Sequence, residues 1–172
     1  MPLYALGDTA PQIHPDAFVH PEAVLIGDVT VGADSSIWPG AVLRGDNPGG
    51  VRIGASSSVQ DGAVIHCTHE PTIVGDFCVI GHLAHLEACV IEDYALVGSG
   101  AVVLHAAIVR TGALVGAAAL VPGKMEVPTG AQALGVPAKL RPDSATREMI
   151  EMNAMVYVAK CRQYRSALRR ID

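Results

Sequence analysis

An aliphatic residue returns every six positions along most of this chain. Counting by six from Ile73 passes Val79, His85, Ile91, Val97, Val103, Val109, Val115, Val121 and Val127, so that His85 alone breaks a run of Ile and Val. Counting back by six from Leu43 passes Ile37, Val31, Leu25, Val19 and Ile13, and a middle block holds Ile53, Val59 and Ile65. Four places after each of these the residue tends to be small, as at Ala23, Ser35, Ala41, Ser57, Ala63, Ala95, Ala101, Ala107, Ala113 and Ala119. A period of six fits neither the 3.6 of a helix nor the alternation of a half-buried strand. It is the signature of a parallel β-helix, in which each hexapeptide makes one flat side, the aliphatic residue points inward and the small residue fits the corner. Three sides per coil give about 18 residues per turn, with coils stacked at the ~4.8 Å spacing of paired strands. The expected fold is therefore all-β.

The phase breaks twice. Leu43 to Ile53 spans ten residues and Ile65 to Ile73 spans eight, so loops are expected to protrude at RGDNPGG and HCTHEPT. Loops that interrupt a regular scaffold are where function concentrates. After Pro142 the composition changes. Residues 143–171 lack Gly and Pro and start with Asp143 or Ser144 as the expected N-cap of one long helix. Met149, Met152, Val156 and Ala159 form the stripe expected to pack on the β-helix, and the basic end RSALRR suits a helix C-terminus. The chain thus reads as a β-helix domain over 1–142 and a C-terminal helix over 143–172.

A net charge of −5 with no basic patch ahead of the last residues argues against nucleic acid as a partner. Residues 95–123 are apolar enough to suggest a membrane span, but they carry His105 and Arg110 and keep the six-residue period, so no membrane partner is expected. Cys67, Cys78, Cys89 and Cys161 form no CxxC pair and are expected to be reduced thiols. The opening MPLYALGDTAPQ has neither a basic stretch nor an apolar run; a cytoplasmic protein without a signal peptide is the expectation.

Stacking by three units places side chains relative to one another. The units beginning at Leu43, Ile65, His85 and Val103 fall on one side of the prism, so Arg44 and His66 share an outward column and Cys67, Glu87 and His105 share the next. Units beginning at Ile37, Val59 and Val79 stack on the preceding side, which brings Gln60, Asp61 and His82 near one another. His82 lies toward a corner on a different side from His66 and Glu87. A site using His66 and Glu87 of one chain and His82 of its neighbour would make an oligomer the active unit.

The ordered motifs RGD (44–46), QDG (60–62), VIHCTH (64–69) and GH (81–82), followed by a C-terminal helix, give a chain that resembles the γ-class carbonic anhydrases and their close homologues over essentially its whole length. The resemblance implies a left-handed parallel β-helix, a homotrimer, and a zinc ion (or Fe2+) at each subunit interface. By position, His66 and His82 match two metal ligands, Arg44 and Asp46 match an ion pair important at the interface, and Gln60 and Asp61 match residues that line the site and orient the attacking water. In the family's pattern a third histidine comes five residues after that of GH, and here that place is Glu87. Three readings stand. Glu87 is the third ligand, in a His2Glu set that zinc accepts in catalytic sites. Alternatively His85 turns outward as the ligand, with Glu87 as its orienting partner or a proton shuttle. Or no catalytic metal binds, and His85 is a buried histidine satisfied by hydrogen bonds.

His69 reads as a solvated loop residue, His105 as a neighbour of Glu87 one coil away, His14 and His20 as structural, and Cys67 as a small core residue. The functional expectation is reversible hydration of the small molecule CO2 to bicarbonate. A second reading is a trimeric protein that holds a small anion or a siderophore-like metal chelate without turnover, with Arg44 and the imidazoles supplying positive potential. Acyl transfer from a CoA thioester, a chemistry hexapeptide β-helices also serve, ranks last because the histidines cluster with RGD and QDG in the anhydrase-like order.

Overall fold

The computed structural model describes residues 2–172. Strands of two to four residues wind into a three-sided parallel β-helix. The first face stacks seven strands, among them Val24–Gly27, Val42–Gly45, Val64–His66, His85–Glu87 and Val102–Val103. The second also stacks seven, including Val51–Ile53, Thr72–Val74 and Val90–Ile91. On the third, seven parallel strands from Phe18–Val19 to Gln132–Leu134 are extended by Lys139–Arg141, which turns back to pair antiparallel with Gln132–Leu134. Parallel pairing coil upon coil lets each inward side chain sit on the like residue of the coil below. Leu25, Leu43, Ile65, Leu86, Val103 and Val121 form such a stack inside the first face, all fully buried. Each leucine or isoleucine so buried contributes about 1.5–3 kcal/mol. Corner residues are small because the chain turns there: Ala23, Ala41, Ala63, Ala95, Ala101 and Ala113 have no solvent exposure.

One part of the six-residue count is corrected. The inward residues after Ile65 are Val74, Ile80 and Leu86, one place later than Ile73, Val79 and His85. Ile73 is 36 % exposed and His85 faces outward. The loop after His66 takes up one residue more than the count allowed, and the turn through Ala88, whose φ is +47°, takes one fewer before Ile91. Ile91 therefore returns to phase, which is why the slip leaves no trace downstream. The reading of His85 as a buried histidine falls with it.

The C-terminal helix runs Arg147–Ala167 and lies along the third face. It starts later than Asp143 or Ser144: Ser144 spends its hydroxyl on the Arg141 carbonyl, 2.7 Å away, and Thr146 is the N-cap residue. The stripe of Met149, Met152, Val156 and Ala159 is exposed, not packed. The buried face is Ile150, Ala154, Val158 and Cys161, which recur at steps of four and three and so line one side of a helix. Tyr157 and Tyr164 flank that face and meet Phe18 and Trp38 of the β-helix, with Trp38 and Tyr164 ring centres 5.0 Å apart. At the other end Arg147 lies 3.7 Å over the ring of Tyr94, itself stacked on Phe77. No helix among the described residues is long and apolar enough to cross a membrane.

Candidate metal centre

The register of the first face puts Arg44, His66 and Glu87 side by side on three successive coils. Adjacent strands lie about 4.8 Å apart, so outward side chains in one column are within reach of one another. Glu87 thus shares the column of Arg44 and His66, not one with Cys67 and His105 as the sequence count implied. Cys67 is buried at the corner, its thiol directed at the carbonyls of Arg44 and Asn47. His105 and His69 are at exposed or half-exposed turn positions.

The RGD loop supplies the next partner. Gly45 packs so tightly on the backbone of Asp28 that a side chain there would collide with it, which accounts for a glycine between Arg44 and Asp46. Asp46 pairs with Arg44 and accepts from His66 Nε2 at 2.9 Å. Burial works against a charge on Asp46, yet the hydrogen bonds from His66 and Arg44, with the Arg44 charge, outweigh it and hold the carboxyl below its usual range. The other nitrogen of His66, Nδ1, lies 3.3 Å from Glu87 Oε1. Glu87 Oε2 in turn lies 3.8 Å from His85 Nε2. His66, Glu87 and His85 therefore form one outward cluster, with His66 the most covered of the three.

His82 belongs to a separate pair. It sits in the turn after Val79–Ile80, its Nδ1 2.9 Å from Asp61 Oδ2. An Nδ1–H given to Asp61 leaves the Nε2 lone pair facing away from the carboxylate. Gln60, expected to line the site, is instead 4 % exposed, near Tyr157 of the C-terminal helix. Burial, then the nearby charge of Asp61, pushes the Tyr157 phenol up against the opposing effect of Gln60. His14 and His20 accept backbone N–H groups from Asp16 and Glu22 through Nδ1 and brace turns.

The donor chemistry suits a divalent ion of the zinc or ferrous kind, for which imidazole and carboxylate are ordinary ligands. Bonds of about 2.0–2.1 Å to a tetrahedral ion set neighbouring donors about 3.3–3.4 Å apart. His66 Nδ1 and Glu87 Oε1 stand at that separation. His66 and His82 each have one ring nitrogen held by a carboxylate, the arrangement that orients histidine ligands. Among the described residues, no three or more His, Cys, Asp or Glu side chains converge within one chain to hold an ion. His66 and Glu87 stand together as two donors, and His82 stands apart from them.

Two residues around this cluster escaped sequence reasoning. Thr72, fully buried, bonds the His66 carbonyl through its hydroxyl and accepts from Ala88 N at 2.7 Å, so it ties the loop base to the coil carrying Glu87. Asn47 reaches Asp46, His66 and the Cys67 carbonyl. Its signal was its place immediately after RGD in a protruding loop.

Residues 10–45 match the family model for the bacterial transferase hexapeptide (six repeats). A probable carbonic anhydrase of Methanocaldococcus jannaschii is 45 % identical over 139 residues, covering 79 % of this chain and 87 % of the relative. The mitochondrial gamma carbonic anhydrase 2 of Arabidopsis thaliana is 37 % identical over 83 % of this chain and 54 % of its own length. The carnitine operon protein CaiE of Escherichia coli O157:H7 is 46 % identical over 60 % of this chain and 53 % of its own. This chain therefore spans about half the length of the latter two. Among solved structures, the Bacillus cereus product of the BC4754 gene superposes with a TM-score of 0.93 at 34 % identity, covering 96 % of this chain and 98 % of that one. A hexapeptide transferase family protein from Anaplasma phagocytophilum superposes with a TM-score of 0.90 at 32 % identity, covering 95 % and 98 %. Relatives 45 % and 37 % identical that match about four-fifths of this sequence place the chain in the γ-carbonic-anhydrase-like family of hexapeptide-repeat proteins.

Proposed function

We infer that this chain acts as a homotrimeric, metal-dependent hydratase that interconverts CO2 and bicarbonate, with Zn2+ or Fe2+ held by His66 and Glu87 of one chain and His82 of the next. The observation that carries this reading is the outward cluster of His66, Glu87 and His85, with a ring nitrogen and a carboxylate oxygen 3.3 Å apart, while His82, apart from it in the same chain, is oriented by Asp61 and free to serve a neighbouring one. Held by these residues, a divalent ion would supply the acidification of water that hydration of CO2 near neutral pH requires. The protein's own groups do the rest. Asp46 and Asp61 hold the imidazoles of His66 and His82 in fixed orientations, and against burial the hydrogen bonds from His66 and Arg44 hold the Asp46 carboxyl below its usual range. Glu87 serves as ligand, and its second oxygen faces His85, which is about one-third open to solvent and close enough to accept or deliver a proton through one water. Asp61, half exposed, is placed to orient the attacking water, while Gln60 lies buried near Tyr157.

Elemental analysis and CO2 hydration on the same samples of wild type, His66→Ala, Glu87→Gln and His85→Ala test this. About one metal per chain in wild type, lost in His66→Ala and Glu87→Gln but retained in His85→Ala, is expected, with hydration following the metal. Metal lost in His85→Ala and retained in Glu87→Gln would exchange the roles of those two residues. A folded wild type that takes up no metal under anaerobic reconstitution would refute the hydratase and favour a binding protein for small anions or metal chelates.

A further inference from the structure

The RGDNPGG loop is pinned to the next coil at its base. Gly49 donates to the Thr68 carbonyl at 3.2 Å, and Gly50 donates to the Asn47 carbonyl at 3.1 Å. The side chain of Asn47 lies at the centre of this contact. Its amide nitrogen is 3.2 Å from the Cys67 carbonyl, 3.3 Å from Asp46 Oδ1 and 3.3 Å from His66 Nε2. The Cys67 carbonyl accepts and never donates, so the NH2 end of the amide must face it. An NH2 group has two hydrogens. One goes to Cys67, and the other is left for Asp46 Oδ1 or for His66 Nε2.

Asp46 Oδ1 decides between them. It lies 2.9 Å from His66 Nε2, the shorter of the two imidazole to carboxylate contacts, since Nδ1 is 3.3 Å from Glu87. A ring nitrogen that close to a carboxylate carries the proton and donates it. Nε2 then has no lone pair to accept from Asn47, and the second amide hydrogen falls to Asp46 Oδ1. The three groups close into a consistent circuit: Asn47 donates to Asp46, His66 Nε2–H donates to the same oxygen, and the Cys67 carbonyl fixes the amide. In the neutral ring this leaves Nδ1 unprotonated and facing Glu87. A lone pair and a carboxylate oxygen 3.3 Å apart repel each other unless a cation lies against both.

We propose that Asn47 is a positioning residue that holds Asp46 against His66 Nε2, locks the neutral ring as its Nε2–H tautomer, and so turns the Nδ1 lone pair toward Glu87 as a seat for a divalent cation. The proposal rests on the hydratase reading only in naming the cation's purpose; the tautomer belongs to the metal-free protein. The contacts that hold the ring are made within this one chain, by the side chains of Asp46 and Asn47 and the carbonyl of Cys67, and they act against the repulsion between Nδ1 and Glu87 until a cation relieves it.

Long-range 1H–15N correlation spectra of the imidazoles in the metal-free protein at alkaline pH read the tautomer directly. Wild type is expected to show His66 with a protonated Nε2 and an unprotonated Nδ1. Asn47→Ala, and the nearly isosteric Asn47→Leu, which lacks any donor, are expected to show averaged shifts from a mixture of tautomers. Titration with Co2+, followed by its visible absorption, is expected to give about 10–100-fold weaker binding in both variants, the usual consequence of removing a group that orients a histidine ligand. If one variant does not fold, the other carries the test. A His66 spectrum unchanged in the folded variants would overturn the proposal, as would an altered spectrum with unchanged Co2+ affinity. Failure of the hydratase reading looks different: wild type then binds Co2+ without hydrating CO2, and the Asn47 comparison stands on its own.

Discussion

From Ile91 to Ala133 the inward residue recurs at strict steps of six, and the coils differ little from one another. Between Leu43 and Ile91 the steps include ten, nine and five, and every side chain assigned to the candidate centre lies in or beside this stretch. The contrast follows from what each region has to do. A strictly periodic coil can only repeat its neighbour, so its outward faces stay simple and its stability comes from the stacked interior. Changing the number of residues in a turn gives the chain a new loop and re-aims the next strand. The nine-residue step creates the loop after His66, and the five-residue step after Leu86 restores the phase. Between them Leu86 takes the interior and His85 is turned outward.

The same contrast shows along one corner. The small residue there is Ser35, then Ser57, then Cys78, and from that coil onward Ala95, Ala113 and Ala131. In the early coils the serines bridge adjacent coils: Ser35 Oγ donates to the Gly54 carbonyl at 2.6 Å and accepts from Ser57 N, and Ser57 Oγ donates to the Gly75 carbonyl at 2.7 Å and accepts from Cys78 N at 2.8 Å. Backbone pairing on this face is alike in both regions, and in the regular coils alanine takes the corner without such bridges. Side-chain hydrogen bonds thus add to the ladder in the part of the solenoid where the step length changes.

The largest expected effect tests the slip in phase. Leu86→Ala removes a fully buried side chain from the stack between Ile65 and Val103 and should cost about 2–5 kcal/mol. His85→Ala should change stability by no more than about 0.5 kcal/mol, because the ring lies on the surface. Urea midpoints at one fixed protein concentration decide the matter. A larger loss for His85→Ala than for Leu86→Ala would mean that the six-residue count, and not the slipped register, describes this strand.

The architecture was legible in the sequence because one physical requirement, an aliphatic residue inward on every side, leaves its mark each time it is met. Register inside the interrupted stretch was not. Ile73–Val74, Val79–Ile80 and His85–Leu86 each offer two adjacent residues, and in the first two pairs either would fill the interior. Only His85 against Leu86 distinguishes them: its polarity allows an outward His85, as found, but by itself does not say that the two preceding strands are shifted as well. The helix face failed for a similar reason. Met149, Met152 and Val156 are as apolar as Ile150, Ala154 and Val158, and the choice between them was made by the small residues that let Trp38 and Phe18 approach. Of the candidate cluster, the column shared by Arg44 and His66 and the nearness of Asp61 to His82 could be read from motif and spacing, whereas Glu87 was displaced by one column through the same slip in phase. Asn47 and Thr72 could not be read, since their part depends on loop geometry that no period encodes.

The second effect concerns the corner. Ser57→Ala leaves the Cys78 amide and the Gly75 carbonyl without their shared hydroxyl in a fully buried place, and should cost about 1–3 kcal/mol. Ala95→Ser, the reverse change in the regular coils, gains no such set of partners and should give no stabilisation. Equal effects at the two positions would show that the serine bridges are incidental.

The smallest effect lies on the regular side, at the second face. Glu92 accepts from Arg110 at 2.6 Å and from Thr111 N at 2.9 Å. The Arg110 hydrogen bond, opposed by burial, keeps the Glu92 carboxyl below its ordinary value of 4.5. A carboxyl depressed in the folded state binds protons less readily there than in the unfolded chain, so its stabilisation is fully present above the unfolded value and is lost as pH falls through the folded one. Glu92→Gln should therefore be slightly less stable than wild type at neutral pH, by less than Ser57→Ala, and the gap should close on acidification below about pH 4. Asp46→Asn should behave in the same direction, because Asp46 is depressed as well. The two differ in consequence: Glu92 stands on a face where no site residue depends on it, so its variant should keep the wild-type metal content, whereas Asp46→Asn should disturb the His66 ring along with the acid limb. A gap for Glu92→Gln that stays constant from neutral to acid pH would mean that its ion pair is no stronger in the folded protein than in the unfolded chain, and that the regular coils owe their stability to the stacked interior alone.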